Sequence, residues 1–493
     1  AAARARVESD MQSAVSSGVR FTPTFFINGR RYDGPWDTVS FRDAIIGRLG
    51  HRVLSAATSF AGWGPSAGLL LIIAALVAVV VTNTGAGEAF TAFWQQKAGI
   101  TIGAIDFQLS LIHWINDGLL TIFFLVVGLE IKREFTVGHL ATRKSATLPI
   151  AAALGGMIVP VGLYLLVNPN PLWADGWGVP MATDTAFAVA IMVMMGSKVP
   201  IELRVFLTAA AIIDDIGAVA VVAVFYSGDM HWEWLAAAAA VTAALGFLNY
   251  GKVYRLTPYL LLGILLWFCV HEGGLHATLA GIVLAAFIPT RPPPDLGALM
   301  IQANAIVTEE AKHAHEVLRQ GPSDGAMRAL NTIYDRLESP ADRLLRAAAA
   351  RSSYVVLPIF ALANGGVLIA TDVFEGHSGL MLAIFAGLFI GKPVGFFLLA
   401  WLAVRLKLAD PPHGYNWRQL LGAGSLAGIG FTMSLFIAGQ AFALESDFAA
   451  AKIAIFGASI LSALAGVAIL WNANRANEEA DAPEGQPAKA PAE

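Results

Sequence analysis

The sequence predicts an all-α polytopic membrane protein of about twelve transmembrane helices, with inverted repeats, two discontinuous crossed helices and a small α/β fragment at the N-terminus. Three observations lead there. Of 493 residues, 56% are hydrophobic and only 14% charged, and mean hydropathy is +0.62, far outside the soluble range. Apolar stretches as long as a bilayer core is thick recur from Ser66 onward. Lys and Arg fall in alternate connections between those stretches.

In chain order the stretches run near 66–84, 111–131, 147–167, 178–195, 200–226, 232–249, 256–271, 275–289, 352–369, 379–403, 419–441 and 450–471. Positive charges follow the second (Lys132, Arg133, Arg143, Lys144), the fourth (Lys198, Arg204), the sixth (Lys252, Arg255) and the tenth (Arg405, Lys407, Arg418). The opposite side carries Lys97 and Lys452. Because Lys and Arg accumulate on the cytoplasmic side, both termini are expected there.

Composition also excludes several functions. A net charge of −4 offers no basic surface for nucleic acid. The single cysteine, Cys269, sits in an apolar run, so disulfide frameworks, CxxC redox chemistry and thiolate zinc sites are out of reach. The polar opening residues do not resemble a cleavable signal, so the run from Ser66 is read as a span. Residues 1–50 contain Phe25-Phe26-Ile27-Asn28-Gly29-Arg30-Arg31-Tyr32, an apolar strand running into an Asn-Gly hairpin turn, followed by a helix-like stretch to Leu49. The segment Phe21 to Gly29 resembles the strand after the cis-proline in thioredoxin-like thiol oxidoreductases of the DsbA type, without a CxxC. A cytoplasmic connection spans about 290–351, and the Glu-, Ala- and Pro-rich residues 476–493 are expected to be disordered.

A charge at the bilayer centre costs at least ~2.5–3.5 kcal/mol, so intramembrane ionisable residues mark function. Asp214 and Asp215 lie side by side in the fifth stretch, in Ala211-Ile212-Ile213-Asp214-Asp215-Ile216-Gly217. Projecting about 100° apart on a helix, they can face different partners around one cavity and titrate as a coupled pair. A small cation competing with protons for such a pair is antiport in its simplest form. Lys392, in Gly391-Lys392-Pro393 of the tenth stretch, requires an acid, and Asp214 is the natural partner; the plainer alternative is a lock between two helices. Met181-Ala182-Thr183-Asp184-Thr185 and Gly428-Ile429-Gly430-Phe431-Thr432-Met433-Ser434 read as interrupted helices. There Asp184 is suited to face positive helix ends, and Thr183 and Thr432 to satisfy freed backbone groups. Glu130, where the second stretch leaves the bilayer, and His276, of the residue type whose unperturbed side chain titrates nearest neutral pH, are candidates for a pH response, or simply solvated and structural residues.

From about residue 60 to 475 these motifs resemble the NhaA-type bacterial sodium/proton antiporters. The resemblance rests on Gly128-Leu129-Glu130-Ile131-Lys132-Arg133-Glu134, Ala182-Thr183-Asp184, Ile213-Asp214-Asp215-Ile216-Gly217, Leu275-His276-Ala277-Thr278-Leu279-Ala280-Gly281, Gly391-Lys392-Pro393 and Gly428 to Ser434, in that order. It implies twelve helices, cation binding at Asp215 with Asp214 beside it, Lys392 as partner and Asp184 balancing crossed helix ends. It also implies electrogenic exchange of sodium or lithium for protons across the bacterial inner membrane, for pH and sodium homeostasis, without a cofactor. A homodimer in the lipid bilayer and a pH response at Glu130 and Arg133 belong to the same implication. The family's acidic and histidine positions at the start of the ninth stretch are not matched by Arg343 to Ala350. The rule that paired broken helices mark a midplane site was drawn partly from this family, so it is not independent support.

Other classes fit less well. A passive channel has no need of Lys392 or of paired broken spans. An intramembrane aspartyl protease requires two acids from separate helices flanking a water, which adjacent acids on one helix do not supply. A third reading makes residues 1–50 a docking module for a cytoplasmic partner.

Overall fold

The computed structural model describes residues 6–7, 11, 25–27, 30–32, 66–102, 105–136, 143–168, 170–228, 230–290, 296–312, 323–368, 376–412 and 414–480, in two compact units, Ala1–Ser66 and Ala67–Glu493. In the first unit, strands β1 (Phe25–Ile27) and β2 (Arg30–Tyr32) pair antiparallel, with Ile27 opposite Arg30. The expected Asn28-Gly29 turn and the stretch to Leu49 lie outside the described residues.

The second unit opens with α1 (Ser66–Thr82) and α2 (Gly87–Gln95), bent by 114°. A hairpin follows, β3 (Lys97–Ile102) with β4 (Ile105–Ser110), an element that hydropathy alone does not announce. Helices α3 (Leu111–Thr136) and α4 (Arg143–Val167) come next. The fourth stretch is a 3₁₀ segment, Pro171–Met181, meeting α5 (Thr185–Met194) at 42°. Then come α6 (Ile201–Phe225), α7 (Trp232–Tyr250), α8 (Leu256–Glu272) and α9 (Leu279–Phe287). The connection expected across 290–351 holds α10 (Leu296–Lys312) and α11 (Asp324–Leu337). The ninth span, α12 (Pro340–Asn364), begins inside that connection. The chain ends in α13 (Ser378–Arg405), the pair α14 (Trp417–Ala427) and α15 (Phe431–Ala441) bent by 45°, and α16 (Glu445–Ala480).

Several expected boundaries are thereby corrected. Residues 476–480, assigned to a disordered tail, continue α16, whose alanines and Glu478-Glu479 favour helix; residues 481–493 lie outside the described set. Among the described residues six helices are long and apolar enough to cross a membrane, and nine if each bent pair is one span. The stretches 232–249, 256–271 and 275–289 became α7, α8 and α9, which fall short of that test. At 1.5 Å per residue α9 covers about 14 Å, half a bilayer core, because Gly273 to Thr278 is spent on turns.

A close approach of α4 and α13 positions the site. Gly387, Gly391 and Gly395 recur every four residues along α13 and form a seam without side chains. A Cβ at Gly391 would lie 2.8 Å from Pro160 Cα, and one at Gly395 would collide with the Gly155 carbonyl of α4. Gly156, next on α4, lies against the Lys392 stem, where its Cβ would be 3.6 Å from Lys392 Cδ. A π-helical turn over Gly387–Gly391 absorbs the bonding lost to Pro393. Gly395→Ala is expected to push α13 off α4 and cost about 1–3 kcal/mol, the usual penalty of overpacking. A lowered thermal unfolding midpoint in detergent would register it; an unchanged midpoint would contradict the close approach.

Candidate functional site

Helix α6 carries Asp214 and Asp215 at its middle, 1% and 4% exposed, and Lys392 on α13 is fully buried. Lys392 Nζ forms an ion pair with Asp214 Oδ2 and donates to Thr183 Oγ1 at 2.8 Å. Thr183 in turn reaches Asp214 Oδ2 at 2.5 Å and the Ala427 carbonyl at 2.9 Å. The lysine thus faces its acid and also the region where the 3₁₀ segment and α14 end, with their carbonyl-rich, partly negative termini. Asp214 Oδ1 is buried and has no hydrogen-bond partner among the described residues.

Residues 182–184 are extended, with Ala182 at φ −82°, ψ 149° and Asp184 at φ −86°, ψ 90°. In an extended segment successive side chains point to opposite sides. Thr183 and Thr185 therefore share the α6 side, and Asp184 faces α15. There Asp184 caps two helices at once. Its Oδ1 accepts from Phe187 N at 3.1 Å, in the first turn of α5. Its Oδ2 accepts from Thr432 N at 3.1 Å and Thr432 Oγ1 at 2.6 Å, in the first turn of α15. Asp184 N donates to the Ile429 carbonyl at 2.6 Å, joining the two unwound segments.

Thr185 Oγ1 lies 3.2 Å from Asp215 Oδ2 and is the one side-chain partner of Asp215 among the described residues. Thr185 was absent from the sequence candidates, although polar residues flanking Asp184 on both sides signalled it. Ser434 also enters the crossing, donating to the Val179 carbonyl at 2.8 Å.

The remaining candidates lie outside this cluster. Glu130 is exposed near the end of α3, and Arg133 Nε faces Asp342 Oδ1 of α12 at 3.6 Å. Asp342 immediately precedes the stretch that lacks Glu and His, so an acid does stand at the start of the ninth span. Lys132 Nζ donates to Ala286 O at 2.8 Å and Ile288 O at 2.5 Å, on the carbonyl end of α9. His276 Nε2 lies 2.7 Å from the Tyr226 carbonyl at the end of α6. Asp117, inside α3 and 3.9 Å from His271, is a further intramembrane acid that spacing alone could have flagged.

These features define a class: multi-pass helical membrane proteins that keep ionisable groups where two broken helices cross. Within it, the chain belongs to the Na+/H+ antiporter 1 family, whose profile matches residues 58–470. It is 61% identical over 489 residues to the Na(+)/H(+) antiporter NhaA of Nitrosospira multiformis, covering 97% of this chain and 78% of that protein. It is 40% identical over 406 residues to the NhaA of Helicobacter pylori, covering 82% and 92%. A solved sodium proton antiporter from Methanocaldococcus jannaschii covers 86% of this chain and 98% of its own at a TM-score of 0.41 and 11% identity.

Proposed function

We infer that this protein is a secondary transporter exchanging sodium for protons, and that both ions use the carboxylate of Asp215. It is not an enzyme. Charge accounting at the crossing carries the inference. Asp184 is offset by two helix N-termini worth roughly half a charge each. Asp214 is offset by Lys392. Among the described residues Asp215 has only the neutral hydroxyl of Thr185, so in a low-dielectric site it needs a mobile counter-charge. A proton or a sodium ion meets that need, and the two exclude one another. Rocking of the broken helices would expose the loaded site first to one side and then to the other.

Exchange is electrogenic in this reading, with the Asp214–Lys392 pair as a second place where a proton is taken up or released for each sodium. Lithium, with the same charge and a smaller radius, is the alternative cargo. The positive-inside pattern supports a bacterial inner membrane location with both termini cytoplasmic. Twelve spans result if α7, α8 and α9 complete the bundle with their neighbours, and a homodimer is the proposed assembly. Glu130, Arg133 with Asp342, and His276 are the proposed pH-responsive positions. Residues 1–50 are proposed as a partial thioredoxin-like unit outside the exchange machinery.

Everted vesicles holding a respiration-driven pH gradient test the exchange. Added sodium is expected to collapse the gradient and added choline to leave it intact. A gradient indifferent to sodium would end the antiport assignment, and a collapse by any cation would indicate a leak.

A further inference from the structure

We propose that Thr185 is a side-chain ligand of the transported cation. This deepens the proposed function and rests on Asp215 being the cation carboxylate.

The two threonines of the break have different duties. The Thr183 hydroxyl is engaged as both acceptor and donor: it accepts from Lys392, and its single proton is shared between Asp214 and the Ala427 carbonyl. Among the described residues the Thr185 hydroxyl makes one hydrogen bond, to Asp215 Oδ2, and the residue is half-buried where Thr183 is buried. Its hydroxyl oxygen keeps both lone pairs, and rotation of the O–H away from Asp215 would turn one of them toward that carboxylate. The backbone fixes this placement. Extended geometry through Asp184 puts residue 185 on the α6 side, and the double cap made by Asp184 holds the first turn of α5.

The separation of the two oxygens bears on ion size. At 3.2 Å the Thr185–Asp215 contact is longer than an ordinary O–H···O bond, commonly about 2.7–2.8 Å. Calcium, close to sodium in radius, takes oxygens at about 2.3–2.6 Å, which places adjacent octahedral ligands about 3.3–3.7 Å apart. Magnesium, close to lithium in radius, takes them at about 2.0–2.1 Å, for an edge of about 2.9 Å. Both edges lie within a few tenths of an ångström of the observed spacing, so a small monovalent cation fits between the two oxygens with little movement. Asp214 Oδ1, buried and unpartnered, is a further oxygen within the same pair of acids.

Thr185→Val keeps the β-branched shape and removes the oxygen; Thr185→Ser keeps the oxygen. In proteoliposomes at fixed pH, the valine chain is expected to raise the KM for sodium and for lithium about tenfold or more, as loss of one charge-assisted contact does. Its maximal rate is expected to stay near that of the unmodified protein, and serine to restore the sodium KM. A structural threonine would instead lower the rate for both ions alike. An unchanged sodium KM, or failure of serine to restore it, would overturn the assignment. If the valine chain does not insert, Thr185→Ala is read the same way. Asp215→Asn in the same preparation separates the two claims: sodium exchange surviving there removes the proposed cation carboxylate, whereas its loss beside an unaffected Thr185→Val removes only the threonine.

Discussion

Asp215→Asn is expected to abolish sodium-dependent proton movement while leaving the fold intact. Asparagine has almost the shape of aspartate, and its side-chain oxygen can still accept from Thr185, so α6 and the crossing keep their contacts. What disappears is the charge. A neutral amide neither takes up a proton in this range nor offsets a cation. Removing one member of a desolvated charge pair costs about 2–5 kcal/mol, a loss of at least about 30-fold in ion affinity. Purified wild-type and variant protein in liposomes, with an internal pH dye and sodium added outside, give the comparison directly. A variant that still exchanges sodium for protons at a comparable rate would move the ion site elsewhere.

The second large effect concerns stability. Lys392→Met leaves Asp214 buried without its counter-charge, and breaking a buried pair from one side costs about 3–5 kcal/mol. The thermal unfolding midpoint of the purified variant is expected to fall steeply. Combining it with Asp214→Asn is expected to recover most of the loss, because replacing both partners by neutral groups is far less costly than stranding one. Additive losses in the double variant would mean that Lys392 is held by α4 and Thr183 more than by the acid. Equal midpoints in all four proteins would mean that the pair is solvated and outside any low-dielectric site.

Much of the site was legible because the bilayer makes polar residues conspicuous. Asp214, Asp215, Asp184 and Lys392 stand out in apolar runs, and Lys392 needed an acid before its partner was known. The breaks at residues 182–184 and 428–430 were readable from glycine and small polar residues in otherwise helical stretches. Thr185 was less conspicuous, since hydroxyl groups inside membranes commonly bond their own helix and carry no charge to compensate. The Arg133–Asp342 contact joins the second and ninth spans across more than 200 residues of chain, and periodicity carries no such information. The helices within 296–337 were missed because a polar connection has no hydropathy contrast to announce them. The end of α16 was misplaced because Glu and Ala suit both a helix and a tail.

By itself the sequence determined the solvent and the apolar stretches suited to it, since transfer free energy is a local sum over residues. It also determined which ionisable groups had to be compensated. The tertiary structure decided how: which acid Lys392 takes, that Asp184 caps two helices, and that Asp215 is left to Thr185. Those outcomes depend on the alternation of an extended segment and on a glycine seam that lets two helices touch. Both are relations between distant parts of the chain, fixed only when the helices pack.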